Sequence, residues 1–185
     1  MNRDYSSSAS WNSAAIAGLV LAAVTIAAEF LGSLCGKVPG VLGGFLNFVA
    51  WAGKLILCAV TFRALMKRFH AGYEGVDYFA LKRYGLKLAL FSSLLVAAYS
   101  LVNFLIINPD SLNEIMQTYR ETYSSMLDSN SEAALDKMLP KLPVYIGFVT
   151  VVYCFIWGWT YSSIFSKSIA PYDPFADFKD SPDNQ

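Results

Sequence analysis

The segment Ala14–Met66, AAIAGLVLAAVTIAAEFLGSLCGKVPGVLGGFLNFVAWAGKLILCAVTFRALM, decides the architecture of this chain. It is two apolar runs joined by a glycine-rich turn, Gly36-Lys37-Val38-Pro39-Gly40-Val41-Leu42-Gly43-Gly44. Each run is long enough to cross the hydrocarbon core of a bilayer, which takes ~20 mostly apolar residues. Each also carries a charge where charge is expensive, Glu29 in the first run and Lys54 in the second. Counted outward from Gly40, Glu29 lies 11 residues before the apex and Lys54 14 after it. At ~1.5 Å per residue the two depths differ by ~5 Å, a gap that long side chains span. With the apex nearer Val38 the offset grows to ~10 Å and pairing becomes marginal. The pair reads as a register-fixing contact or, on a functional reading, as an ion or proton relay. Asn47, within the second run, reads as an interhelical hydrogen-bonding residue.

Composition agrees with this beginning. The chain has 185 residues, of which 55% are hydrophobic and 15% charged, against about 25% charged in soluble domains. Its net charge is zero, which gives no support to a nucleic-acid partner. The three cysteines, Cys35, Cys58 and Cys154, lie in or beside apolar segments without a CxxC spacing. They read as small packing residues and not as a disulfide framework or zinc site. The single histidine, His70, falls in a basic stretch with no second metal ligand in view. No catalytic, metal or cofactor motif emerges.

Residues 1–10 are polar and form a short tail, and Trp11 marks a membrane interface. The apolar run from Ala14 is longer than a signal-peptide core, so it reads as a retained helix. Four spans are expected, at about 11–35, 41–66, 86–107 and 144–165. Gly18 and Ala22 form a small-xxx-small step that admits a neighbouring helix. The connection 67–85, with the helix ends flanking it, gathers Arg63, Lys67, Arg68, Lys82, Arg83 and Lys87, which the positive-inside rule places in the cytoplasm. The same six residues are candidate contacts for anionic lipid headgroups. Within that connection Asp77 is placed to cap the helix that follows.

The third span carries Ser92, Tyr99 and Asn103 on one face, a polar stripe expected to point into the bundle. Asn108-Pro109 ends it. The connection 108–143 has three Lys/Arg and six acids, so it is expected outside. Ser111/Glu114 and Ser129/Glu132 have the spacing of capping boxes. Leu112, Ile115, Met116, Tyr119, Tyr123, Met126 and Leu127 recur at helical spacing. The connection is therefore expected to be a helical hairpin or a bent helix with one apolar stripe, stopped by Pro140 and Pro143. The outer acids Asp110, Glu114, Glu121 and Asp128 could be nominated for lipid chemistry, but they fall on the polar side and read as solvated charge. Residues 167–185 form an acidic, proline-containing tail expected to be disordered in the cytoplasm. No repeat relates the two halves, which argues against an inverted-repeat transporter.

The expected fold is thus all-α: an integral membrane bundle of four transmembrane helices with an extramembrane helical hairpin between the third and fourth. From Ala14 to Phe165 the layout resembles an uncharacterised family of small bacterial inner-membrane proteins, the domain of unknown function 4199. The resemblance is carried by Tyr73-Glu74-Gly75-Val76-Asp77-Tyr78-Phe79, by Phe104-Leu105-Ile106-Ile107-Asn108-Pro109 and by the helical Glu114–Tyr123 stretch. It implies a bacterial inner membrane with both termini cytoplasmic, and it transfers no activity or site. Genes for such proteins often lie beside membrane-associated glycosyltransferases, which makes a glycosyltransferase a candidate partner. The functional expectation is an accessory or scaffold subunit, not an enzyme, binding membrane lipids and a membrane-protein partner or its own copies. The alternative is an oligomeric transporter or channel using Glu29 and Lys54 with Asn47 and Asn103.

Overall fold

The computed structural model describes residues 3–4, 7–35, 40–123, 135 and 137–170. Five helices carry the described chain: α1 (Ser7–Cys35), α2 (Gly40–Gly72), α3 (Tyr78–Val102), α4 (Asp110–Tyr123) and α5 (Leu142–Ile169). The fold is all-α apart from a two-residue parallel bridge between Arg3–Asp4 and Tyr73–Glu74. Four stretches are long and apolar enough to cross a membrane: Ser8–Ser33, Gly40–Gly72, Tyr78–Ile107 and Leu142–Ile169. They are compatible with a multi-pass membrane protein.

The helices overrun the expected boundaries at the basic end. α1 starts at Ser7 instead of Trp11, because Ser10 is buried and accepts a hydrogen bond from Lys87 Nζ at 3.2 Å. α2 continues to Gly72 instead of Met66, since Phe69 is buried and stacks on Tyr84 with ring centroids 3.7 Å apart. α3 starts at Tyr78, where the Asp77 side chain accepts the Ala80 N–H at 2.7 Å. The cap expected of Asp77 is therefore formed. The basic connection shrinks from 67–85 to a turn at 73–77, in which Gly75 takes φ +73°. Burial of Phe69, Leu81 and Tyr84 stabilises these extra turns.

The acidic end departs in another way. α3 does not run as a regular helix to residue 107. From Asn103 to Ile107 it widens into a π-turn, closed by Asn108 N–H on the Asn103 carbonyl at 2.7 Å. Ser111 is not an N-cap acceptor, because it already lies within α4 and its hydroxyl donates to the Asn108 carbonyl at 2.6 Å. Pro143 does not stop a helix but sits, buried, in the first turn of α5, where its missing N–H has no intrahelical role. The second capping box, Met126, Leu127, the 36–39 turn and the 171–185 tail lie outside the described residues. So does most of the second arm of the expected hairpin.

The hairpin of α1 and α2 is present, but it is not the hub. α3 is, packing along both α5 and α1. The α3–α5 seam is built from small residues four apart: Gly85, Ala89, Ser93 and Ala97 on α3, and Cys154, Gly158, Ser162 and Ser166 on α5. A Cβ added to Gly85 would collide with Ser162 Oγ, and one added to Gly158 would collide with Ala89 Cβ. Ser162 also donates to the Lys82 carbonyl at 2.9 Å. On the other flank of α3, a Cβ at Gly18 would fall 2.6 Å from Phe91 Cβ, so the small step expected on α1 is used here. In a bilayer, which supplies no hydrophobic drive between helices, such close approach is what holds helices together. The core surrounds it at the basic half, with Phe62, Met66, Phe69, Leu81, Tyr84 and Leu88 as its large members.

Candidate functional site: a polar seam between the first two helices

The α1–α2 contact is marked by two polar pairs and one pair of small residues. Lys54 Nζ donates to Glu29 Oε1 at 2.6 Å. One turn deeper, Thr25 Oγ1 lies 3.4 Å from Cys58 Sγ and donates to the Leu21 carbonyl at 2.8 Å. Nearer the turn, a Cβ on Gly32 would lie 4.0 Å from Ala50 Cβ. All three pairs are centred on Val41 or just beyond it. Glu29 and Lys54 meet because they share this register with the two pairs that flank them.

The pair is not sealed. Lys54 keeps 25% of its side-chain surface exposed and Glu29 33%. They share a groove of about 360 Å³ with Asn47, Trp51 and Ser33. Asn47 is exposed and makes no hydrogen bond among the described residues. Glu29 also borders a second, larger vestibule of about 1010 Å³ between α1 and the π-turn, lined by Tyr99, Asn103, Asn108, Asp110 and Glu114. There Asn103 Oδ1 accepts from Asn108 Nδ2 at 2.9 Å, so Asn103 faces the space that Glu29 faces but does not bond to it. On the inner side Lys54 reaches a small cavity of about 60 Å³ beside Thr25, Cys58, Ser92 and Cys154. The Ser92, Tyr99 and Asn103 stripe thus lines cavities at two depths.

The other nominated residues disperse. Arg63 approaches Ser168 Oγ at 3.5 Å, while Lys87 bonds Ser10 and lies 4.7 Å over the Trp11 ring. Arg68 borders a crevice between α1 and α2. Lys67 and Arg83 are exposed and Lys82 is half-buried, and none of the three joins that crevice. Of the outer acids, Asp110 and Glu114 line the vestibule, Glu121 accepts from Gln117 Nε2 at 2.9 Å, and Asp128 lies outside the described residues. Among the described residues no group of three or more His, Cys, Asp or Glu could hold a metal.

Sequence reading missed Thr25 and Cys58, whose role follows only from the hairpin register. It also passes over the Gly85–Ala97 seam, whose four-residue period is visible, because 67–85 reads as the basic connection. In comparisons with known proteins, no family model, curated protein or solved structure matches this chain.

Proposed function

We propose that this protein is a small accessory or scaffold subunit of a membrane complex, and that the polar seam of α1 and α2 receives a transmembrane helix of a larger partner. The observation that carries the reading is the incomplete burial of Glu29 and Lys54 beside α2, the barest helix of the bundle. Only 6% of the apolar window of α2 is buried, against 33% for α1. Trp51 stands exposed in the groove, Phe45, Phe48 and Val49 stand exposed elsewhere on α2, and Asn47 in the groove makes no hydrogen bond among the described residues, so it can bond a helix that covers it. In hydrocarbon a partly exposed ion pair and an unpaired amide are costly, and a covering helix removes that cost. The basic residues at one end support a cytoplasmic location for that end and both termini. A bacterial inner membrane, and a glycosyltransferase among the candidate partners, rest on the resemblance to the uncharacterised four-helix family.

A second reading, an oligomeric transporter or channel, draws on one feature. Glu29 borders both polar cavities, and Lys54 continues inward to the third. A photo-crosslinking amino acid at Asn47, in native membranes, separates the two. The accessory reading expects one larger membrane protein, crosslinked there but not from Leu94 on the exposed face of α3, and co-purifying at fixed stoichiometry. Crosslinks only to further copies of this chain would overturn it and direct attention to flux assays on Glu29 and Lys54.

A further inference from the structure

At the basic end α1 and α2 part around Tyr84, leaving a crevice of about 660 Å³. That volume is in the range of small-molecule sites, ~300–1,000 Å³. Its lining changes character with depth. At the mouth stand Asn12, Ser13, Arg68 and Tyr73, and toward the bilayer interior stand Ile16, Ala17, Val20 and Leu65. On α1 the change runs along one stripe at helical spacing, from Asn12 and Ser13 to Ile16 and then Val20. The back wall is aromatic. Tyr84 is buried, stacked on Phe69, with its hydroxyl 3.5 Å from Ser13 Oγ.

Arg68 is the only charged residue among the described residues of this lining. Two basic residues of this end are engaged elsewhere, Lys87 with Ser10 and Trp11 and Arg63 with Ser168, and Lys67, Lys82 and Arg83 stand outside the crevice. A guanidinium at the polar mouth of an apolar slot matches an amphiphile with an anionic head. A guanidinium fork suits phosphate, which accepts two parallel N–H bonds. Ile16 and Val20 remain exposed along the slot and continue its apolar wall toward mid-membrane. A soluble anion would leave that wall unused, whereas an acyl chain covers it.

We infer that this crevice binds one anionic glycerophospholipid, its phosphate on Arg68 and Ser13 and one acyl chain along Ile16, Val20 and Leu65. The site is independent of the accessory role proposed above. It narrows lipid recognition from six dispersed basic residues to one.

The test uses the purified full chain in mild detergent and native mass spectrometry with phosphatidylglycerol, phosphatidylcholine or inorganic phosphate as probe. One phosphatidylglycerol should be retained per chain, in preference to phosphatidylcholine and without competition from inorganic phosphate. Arg68→Gln should weaken that binding about tenfold, the loss of one charge-assisted contact. Lys82→Gln should leave it unchanged, and Ile16→Ser should weaken it with Arg68 intact. Equal retention of phosphatidylcholine, or undiminished binding by Arg68→Gln, would overturn the assignment. Displacement by inorganic phosphate would overturn the lipid and leave a free-anion site.

Discussion

Along α3 and α5 the helices meet where side chains are smallest: Gly85 against Ser162, and Gly158 against Ala89. Along α1 and α2 they meet through groups that bond to each other: Thr25 with Cys58, and Glu29 with Lys54. The first seam is closely packed, with only a cavity of about 60 Å³ beside it, and is continuous with the aromatic core at the basic half. The second opens toward the acidic half into a groove and a vestibule of about 360 and 1010 Å³. Shape fixes one contact and chemistry fixes the other. A contact of shape is lost when an atom is added, and a contact of chemistry when one partner is removed.

The comparison breaks hardest at Gly158. Gly158→Leu inserts a branched side chain against Ala89, where even a Cβ does not fit. The expected cost is about 3 kcal/mol, at the upper end of overpacking effects, read as loss of thermal stability in detergent. A variant as stable as the parent would show that α3 and α5 are not in this register.

A smaller effect is expected at the ion pair. Lys54→Met strands Glu29 and should destabilise by about 1–3 kcal/mol, below the 3–5 kcal/mol of fully buried pairs because both groups keep some exposure. Glu29→Gln combined with Lys54→Met should recover most of that loss. A double-mutant cycle measures the coupling directly, and additive losses would mean that the pair contributes nothing to the α1–α2 contact. The smallest effect sharpens the contrast with Gly158. Gly53, on the bare face of α2, has nothing within 4 Å of an added Cβ. Gly53→Ala should therefore stabilise slightly, by about 0.5–1 kcal/mol of helix propensity. A loss of stability there would mean that the face is already covered by another chain in the purified protein.

The two seams also differ in how well the sequence reveals them. A charge in an apolar run is an anomaly, so Glu29 and Lys54 stand out, and counting from the glycine turn brings them level. The period-four glycines, alanines and serines of α3 and α5 are not anomalous. They are ordinary helix residues until a facing helix shows that their size matters. The four spans were legible because apolar length is a one-dimensional signal. Their ends were not, because Phe69, Leu81 and Tyr84 extend α2 and α3 through tertiary burial, in segments whose lysines and arginines read as a loop. The π-turn at Asn103 was equally hidden. It is closed by Asn108, which as a residue before proline reads only as the end of a helix.

The most direct measurement compares the two seams in one experiment. With Cys35, Cys58 and Cys154 replaced by alanine, single cysteines are introduced at Asn103 in the vestibule and at Ser93 in the closed seam. Both are exposed to a membrane-impermeant maleimide, which needs a water-accessible thiolate. The account predicts rapid labelling at position 103 and none at position 93 until the protein is denatured. Equal protection of both positions would contradict it, because the acidic half would then be as tightly closed as the basic one.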